Sequence, residues 1–181
     1  MRVTLFRDLP TEHWYSMERY ADELEGWLPR FGCDVKSFVS MRPLPSLRGV
    51  PNTLLNYIWR SVIYPGAAKS RQLDVNHIID HSYAHLIKAL DANKTIVTCH
   101  DIAPLALKEG KGIARRLWNE SFREMLSARR IIADSEFTRD EILSHADYPK
   151  DRIRVVPLES AKNSSIRLVT PTHMLFVSNI I

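Results

Sequence analysis

Acidic and imidazole side chains stand together at several places in this 181-residue chain, each time just after an apolar run. The clearest is TIVTCHDIAPLAL, Thr95 to Leu107, where Cys99-His100-Asp101 interrupts a stretch otherwise fit for burial. Other apolar runs also finish on polar residues, at Arg7-Asp8, Asp80-His81-Ser82 and Asp134-Ser135. An imidazole accepts or donates a proton near neutral pH, so beside a carboxylate it can bond a hydroxyl in either sense. Cys99 adds a thiol, but successive strand residues face opposite sides, so Cys99 and His100 cannot pair as thiolate and imidazolium within one strand. Cysteine chemistry is therefore not expected.

Short strands alternating with helices must position these groups. Arg2 to Phe6, Cys33 to Val39, Val75 to Asp80, Thr95 to Cys99, Arg130 to Ala133 and Ile153 to Val156 read as strands. Between them, apolar residues recur at three and four from Trp14 to Leu28, from Leu54 to Ile63 and from Ile113 to Leu126, the period of helices with one buried face. Ser82 to Leu90 reads as a short helix, and Thr138 to His145 as a helix opened by a capping box at Thr138-Arg139-Asp140-Glu141. Tyr64-Pro65-Gly66 is expected to close the helix before it, and the Pro-rich MRPLPSLRGVP to be irregular. Such βα alternation predicts an α/β fold, a Rossmann-like parallel sheet with helices on both faces.

In an open parallel sheet the carboxyl ends of the strands form one rim, and ligands bind in the crevice outside it. His100 is thereby placed to face a ligand, and Ile102-Ala103-Pro104 offers His100-Asp101 no helix to cap. Ser82 and Asp134 have a second reading as helix caps or turn residues. His77, His81 and His85 are spaced by four, but the first falls on a strand and the last on a helix, so no metal site is expected. After the first strand the chain reads Leu9-Pro10-Thr11-Glu12-His13 in place of G-x-G-x-x-G, and neither a Walker loop nor a G-x-S-x-G elbow occurs. No nicotinamide, flavin or other cofactor is expected.

With 45% hydrophobic and 25% charged residues the chain can build a real core. Its net charge of +4 is spread along the sequence, so nucleic acid is not an expected partner. Cys33 and Cys99 lack metal-type spacing and read as reduced cytoplasmic thiols. Arg2, Arg7 and Asp8 come too early for a signal peptide, and no run of about 18 apolar residues exists to span a membrane. The stripe Leu54, Leu55, Ile58, Trp59, Val62 and Ile63, with Arg48, Arg60, Lys69 and Arg71 nearby, reads either as ordinary core or as a face for peripheral contact with an anionic membrane, at the inner face for a cytoplasmic protein.

Three ordered blocks, VNHIIDHSYAHLIKAL, TIVTCHDIAPLAL, and RRIIADSEFTRDEIL followed by YPKDRIRVVPL, resemble the N-terminal half of a family 4 glycosyltransferase of the GT-B fold. The likeness runs from Arg2 to about Pro157. It implies a retaining, metal-independent transfer of sugar from a nucleotide-sugar donor, held mainly by a C-terminal domain, to a glycan or lipid-linked acceptor offered mainly by the N-terminal one. It further implies that His100 hydrogen-bonds a sugar hydroxyl and that Asp101 orients the ring or meets the acceptor, these two being the catalytic candidates. Asp8, His81, Ser82, Ser135 and Glu136 then bind substrate along the same rim. Residues 1–158 are expected to form the acceptor-side domain, and 159–181 a polar linker and the first strand of a C-terminal domain that is otherwise absent. On that expectation the chain alone transfers no sugar, and a truncated or shifted reading frame would account for its end. A noncatalytic acceptor-binding or partner-docking module is the alternative, and an unrelated small-molecule Rossmann-like enzyme a third.

Overall fold

The computed structural model describes residues 1–40, 52–102 and 113–157. The expected linker and final strand within 159–181, and the Pro-rich MRPLPSLRGVP, lie outside them. Six strands, β1 (Arg2–Phe6), β2 (Asp34–Phe38), β3 (Val75–Ile78), β4 (Thr95–Cys99), β5 (Arg130–Ala133) and β6 (Ile153–Val155), form one sheet in the order β2-β1-β3-β4-β5-β6. Every pairing is parallel. The expected Rossmann-like α/β architecture is what the chain adopts.

Alternation within each strand sends side chains to two separate cores. Phe6, Ile78, Val97, Ile131 and Ile153 are consecutive register partners, and together they form an apolar row across five strands on one face. Against that row pack Trp59, which follows α2 (Asn52–Ile58), together with α3 (Tyr64–Lys69), a 3-10 helix (His81–Ala89), α4 (Ile113–Met125) and α5 (Glu136–His145), through residues such as Tyr64, Leu86, Met125 and Ile142. The other face carries Val3, Leu5, Ile96 and Ile132, covered by Tyr20, Ala21 and Leu24 of α1 (Tyr15–Trp27) and by Leu28. Fully burying such a side chain is worth about 1.5–3 kcal/mol, so this two-sided burial is the main force holding the strand ends in place. A short 3-10 turn, Leu28–Phe31, follows α1 and stops at Gly32, whose φ of 77° is a left-handed conformation that glycine adopts without steric cost.

Among the boundaries that differ from the sequence expectation, two alter how an element is built. Tyr64-Pro65-Gly66 does not end its helix: Trp59–Ile63 widens into a π turn and α3 continues to Lys69. A proline ring clashes with the carbonyl four residues back, here that of Ser61, and the widened turn containing Ser61 absorbs the clash. Likewise α5 starts at Glu136, not at Thr138. Ser135 is its cap, with Oγ accepting the Thr138 backbone N–H at 3.1 Å, so the capping-box reading was displaced by three residues. No helix among the described residues is long and apolar enough to cross a membrane.

Candidate functional site

The strand order reverses direction between β1 and β3, since β2 lies on one side of β1 and all later strands on the other. Such a reversal leaves a crevice at the carboxyl ends of the two strands. Register decides which residues face each other there. Phe6 pairs with Ile78, so Asp8 and Asp80, each two residues further on, stand level across the crevice. Cys99 pairs with Ala133, which brings His100 level with Asp134 in the same way.

Asp8 is 4% exposed, and neither carboxylate oxygen has a hydrogen-bond partner among the described residues. The segment after it is pinned: the Leu9 N–H donates to the Tyr83 hydroxyl at 3.0 Å, and the Tyr64 hydroxyl donates to the Arg7 carbonyl at 2.6 Å. Burial raises the Asp8 pKa well above the usual carboxylate range, the nearby Asp80 and Glu12 charges add to the rise, and Arg60 offsets part of it. Asp80 goes the other way. Burial opposes its ionisation, but His81, the Ser82 hydroxyl and His100 outweigh burial and hold the group below the ordinary range. The two level carboxyl groups are thus pushed in opposite directions, Asp8 toward the protonated form that donates and Asp80 toward the ionised form that accepts.

Asp80 is also the cap of the 3-10 helix, taking hydrogen bonds from the Ser82 N–H at 3.3 Å and from the Ser82 hydroxyl. His81 Nδ1 lies 2.9 Å from Asp80 Oδ1 without the alignment of a hydrogen bond, and its Nε2 is buried with no partner. The ring leans on Trp118 with centroids 5.7 Å apart. Arg60 closes this side: its guanidinium bonds Glu12 Oε1 at 2.7 Å and the Ser82 carbonyl at 2.6 Å, and sits 4.2 Å over the Tyr83 ring. Arg60 is therefore an inward clamp rather than part of a basic surface, which corrects its sequence reading beside the apolar stripe.

His100 lies on the next strand end, its side chain 11% exposed. The ring packs edge-on against Tyr20 at 5.4 Å, and Nε2 bonds the Ile79 carbonyl at 3.1 Å. Nδ1 is 3.8 Å from Asp134 Oδ2, too long for a hydrogen bond and close enough for charge attraction. Burial alone would lower the His100 pKa, but Asp134, Asp80 and the Ile79 carbonyl turn the net shift upward. Thr138 Oγ1 lies 3.2 Å from the His100 carbonyl and 2.9 Å from Asp134 Oδ1, tying the start of α5 to both strand ends. The Cys99 thiol is fully buried and its pKa pushed well up, first by burial and then by Asp80 and Asp134, so it carries no thiolate at neutral pH.

The remaining candidates sit further out. Asp101 is exposed at the lip, and Glu136 is exposed and paired with Arg139. Ser82 and Ser135 spend their hydroxyls on caps, the second reading open for Ser82 from sequence. His77 points to the α1 face, where Nε2 bonds Thr98 Oγ1 at 2.8 Å, while His85 Nε2 bonds the Arg60 carbonyl at 2.9 Å. Sequence reasoning left Asp80, Asp134, Arg60 and Glu12 out of the site. The first two ended strands just as Asp8 does, and that signal was available; the Arg60–Glu12 pair spans 48 residues and no local pattern encodes it. Beside the rim, a hollow of about 200 Å³ is lined by Arg60, Ser82, Leu117, Trp118 and Ser121, and not by His100.

Two comparisons bear on this edge. A family model described as Glycosyltransferase Family 4 matches residues 17–158, most of the chain and all but the first strand of the sheet. No curated protein matches it significantly.

Proposed function

Because the chain belongs to glycosyltransferase family 4, and with it to a glycosyltransferase type of function, we propose that its strand-end edge is the acceptor side of a retaining sugar transfer. The donor is a nucleotide sugar, held mainly outside the described residues, and the acceptor is a glycan or a lipid-linked sugar. The observation that carries this reading is the alignment of Asp8, Asp80, His100 and Asp134 along one rim of the parallel sheet. A sugar presents hydroxyls that both donate and accept, so its site needs rigid groups of both kinds. Asp8, which burial pushes toward its protonated form, and the His100 ring supply donors; Asp80 and Asp134 supply acceptors. The 3.8 Å gap between His100 Nδ1 and Asp134 leaves both able to bond one hydroxyl placed beside them. Asp101 and Glu136 meet the acceptor further out, while Ser82 and Ser135 act by holding the strand ends.

Calorimetric titration of the chain with a panel of neutral disaccharides, and separately with UDP- and GDP-sugars, tests this. Disaccharide binding is expected to weaken about 10-fold in His100→Ala, the loss of one buried hydrogen bond to a sugar. Disaccharide affinity unchanged by that substitution, or no disaccharide binding at all, rejects the reading.

A second reading concerns membranes. Leu54, Ile58, Val62 and Ile63 are 49%, 42%, 61% and 41% exposed, while Leu55 and Trp59 of the same stripe are buried. The stripe thus has two faces, one in the core and one outward, and we assign the outward face to peripheral contact with an anionic membrane surface.

A further inference from the structure

Beyond the strand-end rim, the groove between the π turn Trp59–Ile63 and α4 holds a second set of unsatisfied polar atoms. Two hollows, of about 200 Å³ and 150 Å³, share Leu117 and Ser121 as walls and so adjoin along this groove. Taken together they reach the low end of the roughly 300–1,000 Å³ of small-ligand sites. Ser61 lines the groove, and its hydroxyl, enclosed within that wall, has no hydrogen-bond partner among the described residues. Packed against the Trp118 ring, His81, 6% exposed, has an Nε2 without a partner among the described residues.

The other groups are fixed in place. Arg60 is held by Glu12 and the Ser82 carbonyl, and the Ser121 hydroxyl donates to that same carbonyl at 2.8 Å, leaving its oxygen free to accept. His85 donates from Nε2 to the Arg60 carbonyl, and Lys88 is paired with Glu120 and Glu124. Every cation bordering the groove is therefore already matched by an anion or a carbonyl. That disfavours a phosphate or carboxylate ligand, which would need an uncommitted positive charge. An indole face, an aliphatic wall from Leu117 and scattered hydroxyls suit a ligand with one apolar C–H face and a rim of hydroxyls.

We propose that this groove is a second binding site, separate from the strand-end rim, for a neutral pyranose ring stacked on Trp118 and hydrogen-bonded by Ser61 and Ser121. Lying next to Ser82, it would hold an outer sugar of a longer acceptor; only this last assignment rests on the transferase reading above. The test follows the Trp118 indole N–H resonance of the whole chain, identified by its disappearance in Trp118→Phe, during titration with the methyl pyranosides of glucose, galactose and mannose. At least one glycoside is expected to shift it, equally in wild type and in His100→Ala, with affinity about 5- to 10-fold weaker in Ser61→Ala. No shift with any of the three, or an affinity untouched in Ser61→Ala, overturns the proposal. Because His100→Ala is predicted to spare this signal while weakening disaccharide binding at the rim, failure at one site is told apart from failure at the other.

Discussion

Asp8 sits where burial disfavours a carboxylate, and no described residue hydrogen-bonds it, although the Arg60 charge offsets part of the cost. Its folded pKa is raised above the unfolded value, so its stability contribution is complete below the unfolded carboxylate range, near pH 4, and is lost as pH rises through the folded pKa. Asn has the same shape and nothing to ionise. Asp8→Asn is therefore predicted to be more stable than wild type at neutral pH, with the advantage growing from about pH 4 upward. Thermal melts at a series of pH values check this, and a variant less stable than wild type at neutral pH contradicts it. Strain at one residue that the rest of the fold tolerates is common where a group is kept for binding. The rim residues were half legible in the sequence. His100 and Asp8 announced themselves by ending apolar runs, whereas the split between Asp8 and Asp80 depends on strand register and on Arg60, neither of which is local.

At the scale of elements, the segment from Asn52 to Lys69 carries the most consequence. Its inner face is sealed to the 3-10 helix by His85, whose pKa burial and the Arg60 charge lower from 6.5 to about 4. A depressed histidine contributes stability that is full above about pH 6.5 and lost as pH falls through about 4, here of the order of 3 kcal/mol. Urea unfolding at neutral pH and near pH 4 should show that loss in wild type and a smaller one in His85→Gln, with Glu120 and Arg60 still facing the site. Equal losses in the two proteins would remove His85 as the cause. The outer face predicts sedimentation with phosphatidylglycerol vesicles at low salt, abolished in the double variant Ile58→Glu, Val62→Glu; a wild-type chain that stays in solution ends the membrane reading. Periodicity located this helix correctly because its apolar residues recur at three and four. It misplaced the end because Pro65 stops an isolated helix, whereas a π turn lets a packed one run on. The start of α5 was misplaced for a related reason: Ser135 and Thr138 both fit a cap, and only the bonds from Thr138 to His100 and Asp134 favour the earlier one.

For the molecule as a whole, the parallel sheet was readable because runs such as TIVTC and RIIA are apolar on both faces, as strands covered by helices on each side must be. The order β2-β1-β3-β4-β5-β6 was not, since sequence gives each strand and not its neighbours. That order is what makes a crevice between β1 and β3 and so sets Asp8 and Asp80 level with each other across it. The most direct measurement is amide NMR mapping of the whole chain with the tightest-binding neutral disaccharide. The account predicts that the largest shifts fall on residues following β1, β3, β4 and β5, centred on Asp8, Asp80, His100 and Asp134. Shifts confined to the opposite ends of the strands, or none with any disaccharide of the panel, would contradict it.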